Sequence, residues 1–199
     1  MSELFSYLKA QTRDAHEALE AHYPFNRMLK TRRFEKQDYV HILQVLAAFH
    51  SHVKPWLTTL APAHYTMLHT DAVESALHSD LAQLTQAPAH EAKAFHLSLP
   101  DTPSTPRTLA AAYVWMGSSL GGKMIERWLS TSCPDLPAAY YTQMKYVSRN
   151  WPLFIQAIST CYPLSDTQLT QTANCASALF AGLRETARRI SVAPGLVAD

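Results

Sequence analysis

The 199-residue sequence predicts an all-α, single-domain bundle of about six main helices. Three observations lead there. Apolar residues recur at i, i+3 and i+4 over long segments; no segment alternates polar and apolar residues at strand length; and prolines gather between the periodic segments, while glycines number only five. Hydrophobic residues make up 47% and charged residues 17%, and a chain of this length buries about 70% of its extended surface, enough for a sizeable core.

The first helix spans about Glu3 to Ala21, with Leu4, Leu8, Ala15 and Leu19 turned inward. Tyr23-Pro24-Phe25 ends it, because the residue before a proline is pushed out of the α region. A second helix, about Lys36 to Leu60, carries a continuous apolar stripe from Tyr39 to Leu60, with Pro55 as a kink. The third runs from His64 to about Gln86, with Leu68, Ala72, Ala76, Leu81 and Leu84 inward. Ser98 to Arg107, with three prolines, is the longest loop; Thr105 caps the fourth helix and Pro106 takes its first position. Pro134 and Pro137 separate it from a fifth helix, about Ala138 to Tyr162, bent at Trp151-Pro152. Ser165-Asp166-Thr167-Gln168 reads as a capping box that opens the sixth, which reaches about Ile190. The domain is therefore 1–190, and 191–199 forms a flexible tail.

A net charge of +1 gives no general attraction to nucleic acid or to an acidic membrane. Cys133, Cys161 and Cys175 are odd in number and lack CxxC spacing, which argues against a disulfide framework and a structural zinc site. The N-terminus has charges where a signal peptide has its apolar core. These features predict a cytoplasmic protein in a reducing compartment.

The fourth helix contains a local weakness. Tyr113 to Ile125 holds Gly117, Gly121 and Gly122, and each interior glycine costs a helix roughly 0.5–1 kcal/mol relative to alanine. Gly117 and Gly121 lie one turn apart and form a flat notch. A second helix, a membrane neighbour or a flat ligand would fill it. The membrane option fails on length, since a span needs about 20 apolar residues and Arg107 and Lys123 bracket far fewer.

Histidines number ten, yet no Glu-x-x-His pair suggests a di-iron bundle. His50 and His52 cannot face each other on a helix, and His22, His64, His69 and His90 read as solvated surface. His16 and Glu20 differ: one turn apart, they suit a single axial ligand and the carboxylate that orients it. A flat iron macrocycle needs an imidazole wall and a wall without side chains, and the sequence supplies both.

Leu8-Lys9-Ala10-Gln11-Thr12-Arg13-Asp14-Ala15-His16-Glu17-Ala18-Leu19-Glu20 resembles the proximal helix of the heme oxygenase family, and Tyr113-Val-Trp-Met-Gly-Ser-Ser-Leu-Gly-Gly resembles its distal helix. The likeness in length and helix order covers most of the chain and is closest to bacterial members, including those that accompany bacteriophytochromes. It implies haem held between the first helix and a kinked glycine-bearing helix. It also implies oxidation by O2 to biliverdin, CO and ferrous iron, with electrons from a ferredoxin, flavodoxin or reductase, and biliverdin passing in some cases to a bacteriophytochrome. Residue by residue, His16 matches the iron ligand and Glu20 its partner. Gly117, Gly121 and Gly122 match the distal glycines, and Ser118 stands where many members carry an aspartate that holds the oxygen-site water network. Lys9, Lys145 and Arg149 match basic residues at the haem propionates, the last two being equally readable as ordinary surface. Phe180 is either an aromatic pocket wall or plain core. A non-catalytic haem carrier or sensor, made credible by Ser118, and a haem-free protein whose notch packs helices are the competing readings.

Overall fold

The computed structural model describes residues 3–85, 94–99 and 102–192, and among them there is no strand. The helices are α1 (Glu3–Glu20), α2 (Phe25–Thr31), α3 (Lys36–Leu57), α4 (Pro62–Thr66), α5 (Thr70–Thr85), α6 (Thr105–Ser132), α7 (Ala139–Val147), α8 (Trp151–Cys161) and α9 (Asp166–Val192), with a 3-10 turn, Ser148–Asn150, between α7 and α8. All six long segments expected from periodicity are present, and two are divided.

The third expected helix breaks at His69, whose backbone is left-handed (φ 49°), so α4 and α5 are separate. Restarting at Thr70 turns Val73, Leu77, Leu81 and Leu84 inward and leaves Ala72 exposed, which corrects the expected Ala72/Ala76 face: the larger side chains take the core. The bend expected at Trp151-Pro152 is made just before it, by the 3-10 turn, with Pro152 in the first turn of α8. α2 went unforeseen because its seven residues are too short to show a period. α6 starts one residue earlier than expected: Ser104, extended at φ −153°, occupies the N-cap, and its carbonyl accepts from Thr108 N–H at 2.8 Å. The capping box forms as expected, with Ser165 N–H donating to Gln168 Oε1 at 3.0 Å and Gln168 N–H to Ser165 Oγ at 3.3 Å. α9 extends to Val192, two residues past the expected end, and 193–199, like Gln86 and His90, lie outside the described residues.

α3 forms the centre, burying Tyr39, Ile42, Leu43, Phe49, Val53 and Trp56 against α5, α6 and α9. Asp80 of α5 is fully buried, and its two carboxylate oxygens accept the Ala139 and Tyr140 N–H groups at 3.1 and 2.9 Å. It thus caps α7 from another helix, satisfying amides that no local side chain reaches.

His50 is buried against Trp115, with ring centroids 3.9 Å apart, and its Nε2 lies 3.1 Å from the Tyr140 hydroxyl. Burial pushes its pKa down to about 3, so the folded protein keeps it neutral. An imidazole free in the unfolded chain binds a proton near pH 6.5, so between pH 6.5 and 3 the unfolded state binds more protons. Stability from this group is complete above pH 6.5 and falls with pH below it. We expect His50 to account for a loss of roughly 2 kcal/mol between pH 7 and pH 5, which His50→Gln removes; urea unfolding of both proteins at the two pH values checks this.

A second packing constraint was not foreseen. Gly182 of α9 lies under the segment 94–99, where an added Cβ would come within 2.8 Å of Phe95 Cζ and 3.0 Å of the His96 carbonyl. The same segment is tied to α9 by His96 N–H donating to the buried Thr186 hydroxyl at 3.1 Å. Gly182→Ala gains helix propensity of up to about 1 kcal/mol but must displace backbone, so a net loss of about 1 kcal/mol or more is expected in denaturant titration.

Candidate functional site

α9 packs along both α1 and α6, whereas α1 and α6 touch each other only locally. The space between them, with α1 and α6 as walls and α9 as floor, is the candidate cleft. At one end Thr12 Oγ1 of α1 lies 3.2 Å from the Tyr113 hydroxyl of α6. Thr12 already donates its single proton to the Leu8 carbonyl at 2.8 Å, so Tyr113 is the donor. At the other end the chain following α2 returns to α6, with the Arg32 guanidinium 6.0 Å from the centre of the Trp128 ring. The two ties are roughly 22 Å apart along α6 at about 1.5 Å per residue. His16 lies in the stretch of chain between them, as Gly117 and Gly121 do on α6.

His16 projects from α1 one turn beyond Thr12. Its side chain is 50% exposed, its Nδ1 stands 3.7 Å from Glu20 Oε1, and its ring meets the edge of Phe180 at 5.2 Å and 90°. At that distance the carboxylate is an electrostatic neighbour of Nδ1 rather than a hydrogen-bond acceptor. Phe180 is buried and belongs to the core, with its ring against His16.

On the opposite wall a Cβ at Gly117 would meet nothing within 4 Å, and one at Gly121 only Ile125 Cδ1 at 3.9 Å. Leu120 and Met124, on the same face, are 49% and 48% exposed. Large apolar side chains left in water beside two open glycines mark a surface short of a partner. Gly122 is different. It turns away from the notch toward α7, where an added Cβ would lie 2.9 Å from Met144 Cβ and 3.3 Å from Lys145 N. The expected oxygen-side role of Gly122 is therefore corrected to close helix packing, because each residue rotates about 100° around a helix and Gly122 reaches the next face. Ser118 is exposed on the flank of α6, and its hydroxyl donates to the Trp115 carbonyl at 2.7 Å.

The basic candidates are dispersed. Lys9 is exposed on α1, two turns before His16. Lys145 Nζ is held 3.0 Å from Glu126 Oε2, next to the α6 wall, and Arg149 is exposed with its guanidinium 5.5 Å from the Tyr146 ring centre. Among the other histidines, His64 is buried rather than solvated, its Nδ1 3.4 Å from the Tyr162 hydroxyl. Sequence reasoning missed the two ties, Thr12–Tyr113 and Arg32–Trp128. It also missed Leu120 and Met124, whose signal is apolar residues at i+3 and i+7 from Gly117.

No protein-family model matches the sequence, and no curated protein is similar to it in sequence. Solved structures do match. Heme oxygenase-2 from Synechocystis, solved with heme and NO, superposes with a TM-score of 0.68 over 98% of this chain and 89% of its own, at 16% identity. Heme oxygenase from Leptospira interrogans gives 0.66 over 94% and 100%, at 15% identity. Heme oxygenase-1 from Synechocystis, solved with heme, gives 0.66 over 95% and 92%, also at 15%. Among the described residues, no helix is long and apolar enough to cross a membrane. With its two-walled cleft and these superpositions over nearly the whole length, the chain has the heme oxygenase fold.

Proposed function

We propose that the protein is a heme oxygenase that holds haem in the cleft between α1 and α6 and cleaves it to biliverdin, CO and ferrous iron. The observation that carries this reading is a half-exposed imidazole on one wall, paired with a glycine face on the other that has no side chain to close the gap. When bound, haem supplies both the iron that takes O2 and the ring that is oxidised. The residues present fit such a group. Glu20 lies on the Nδ1 side of His16, so Nε2 is the nitrogen presented to a metal, and closing 3.7 Å to a hydrogen bond would fix the ring and raise its basicity. Phe180 keeps the imidazole from turning toward α9. Gly117 and Gly121 leave room for a plane and a small ligand, and covering the half-exposed Leu120 and Met124 contributes up to about 0.7–1.5 kcal/mol each.

Lys9, Lys145 and Arg149 are the groups proposed to meet propionates. Lys145 must share Glu126 to do so, and Arg149 is exposed, so the contribution is at the weak end for charge-assisted contacts. The double change Lys145→Ala, Arg149→Ala is expected to weaken hemin binding by up to about tenfold and to mix the biliverdin isomers, as read by titration and chromatography. Ser118, its proton given to Trp115, acts at the oxygen side only as an acceptor. That observation favours a second reading, a haem carrier or sensor on the same fold. The proposed partners are O2, an electron donor of the ferredoxin, flavodoxin or reductase class and, for the product, a bacteriophytochrome; the proposed compartment is the cytoplasm.

Hemin titration followed by reductant in air tests both readings. An enzyme gives a saturable Soret band that decays into biliverdin absorbance. A carrier keeps the band, and a protein with no haem site gives no saturation.

A further inference from the structure

Outside the cleft, Tyr23 stands at the elbow between α1 and α2 with its hydroxyl between two groups of α3. It is 2.8 Å from Asp38 Oδ1 and 2.9 Å from His41 Nδ1. Asp38 is only 6% exposed, and its other oxygen accepts from Arg27 Nη1 at 3.3 Å. Arg27 also covers the Tyr23 ring at 5.8 Å and reaches Glu35 at 3.8 Å. The proton order follows from the number of hydrogens. A carboxylate only accepts, and a phenol has one proton, so Tyr23 donates to Asp38 and His41 must donate its Nδ1–H to the Tyr23 oxygen. Burial, and then the carboxylate beside it, push the Tyr23 hydroxyl up to about 12, and burial pushes His41 below its ordinary value, so Tyr23 keeps its proton at neutral pH.

This cluster sits where it can set the position of the α1 wall. α1 rests mainly on α9, and its last two turns, which carry His16 and Glu20, run straight into the elbow. Beyond the elbow, α2 leads to Arg32, whose guanidinium lies 6.0 Å from the Trp128 ring of α6. We propose that Tyr23, Asp38, His41 and Arg27 form a latch that fixes the α1–α2 elbow to α3 and thereby positions His16 across the cleft from the α6 glycines. The significance for His16 rests on the reading of the cleft as a haem site; none of the four is a catalytic residue.

Tyr23→Phe tests the latch because it keeps the ring, with Arg27 over it and the His41 ring 5.9 Å away, and removes the hydroxyl with its hydrogen bonds to Asp38 and His41. In the haem-free protein, amide hydrogen exchange over residues 13–21 is expected to accelerate at least about fivefold, while peptides from α6 and α9 stay unchanged. Unchanged exchange over 13–21, or equal acceleration throughout the chain, overturns the latch. In the hemin complex the variant is expected to release hemin several-fold faster and to broaden the ferrous iron–histidine vibration. Normal release and an unchanged vibration, with α1 loosened, overturn the positioning of His16. Failure of the unmodified protein to bind hemin sinks the haem reading instead, and the exchange measurement still decides the latch.

Discussion

His16→Ala is expected to remove the histidine-ligated spectrum of the hemin complex, including the iron–histidine vibration of its ferrous form, and free imidazole is expected to restore part of it. Among the described residues no cluster of three or more His, Cys, Asp or Glu side chains is arranged to hold a metal, and His16 is the imidazole on α1 between the two ties that bound the cleft. The proposed iron ligand is therefore His16. Because the side chain is 50% exposed, its removal leaves no large cavity, and the melting temperature of the haem-free protein should shift by no more than a surface substitution does. An unchanged ferrous–CO spectrum and vibration in the variant show that iron is held elsewhere.

Gly121→Val and Gly122→Val, adjacent on α6, are expected to fail in opposite ways. A valine at Gly121 points into the open notch, where its Cβ meets only Ile125 Cδ1 at 3.9 Å. Helix propensity does not penalise it relative to glycine, so the haem-free protein should melt at or slightly above the normal temperature. In the proposed complex haem and bound oxygen occupy that same space, so single-turnover haem oxidation is expected to fall by at least about tenfold. At Gly122 the Cβ starts 2.9 Å from Met144 Cβ with α7 backbone at 3.3 Å, and overpacking there costs about 1–3 kcal/mol. That variant should melt lower and, where folded, still turn over haem. Paired thermal melts and single-turnover assays decide. A Gly121→Val protein that melts well below normal yet oxidises haem at the normal rate places the cleft elsewhere.

Particular residues explain what the sequence could reveal. The long helices were legible because a 3.6-residue period repeated over many turns averages out local exceptions, as along α3 from Tyr39 to Trp56. α2, the His69 break and the 3-10 turn were not, since each spans too few residues for a period and depends on one backbone angle or one tertiary contact. In the cleft, spacing alone put His16 beside Glu20 and Gly117 beside Gly121, because one helical turn is a local relation. It could not separate Gly122 from its neighbours, as its partner Met144 is distant in sequence. Nor could it show that Lys145 is engaged by Glu126, or that Tyr23, Asp38 and His41 converge, because such contacts between helices leave no periodic trace.

The most direct test of a haem held between α1 and α6 is a methyl spectrum of methionine-labelled protein with and without ferric haem. Met124 lies on the open face of α6, whereas Met67 precedes Leu68, whose carbonyl accepts the Trp115 indole N–H on the opposite side of α6. Paramagnetic iron should broaden or displace the Met124 methyl signal strongly and shift that of Met67 far less. A saturated hemin complex in which Met124 is unmoved contradicts a haem in this cleft.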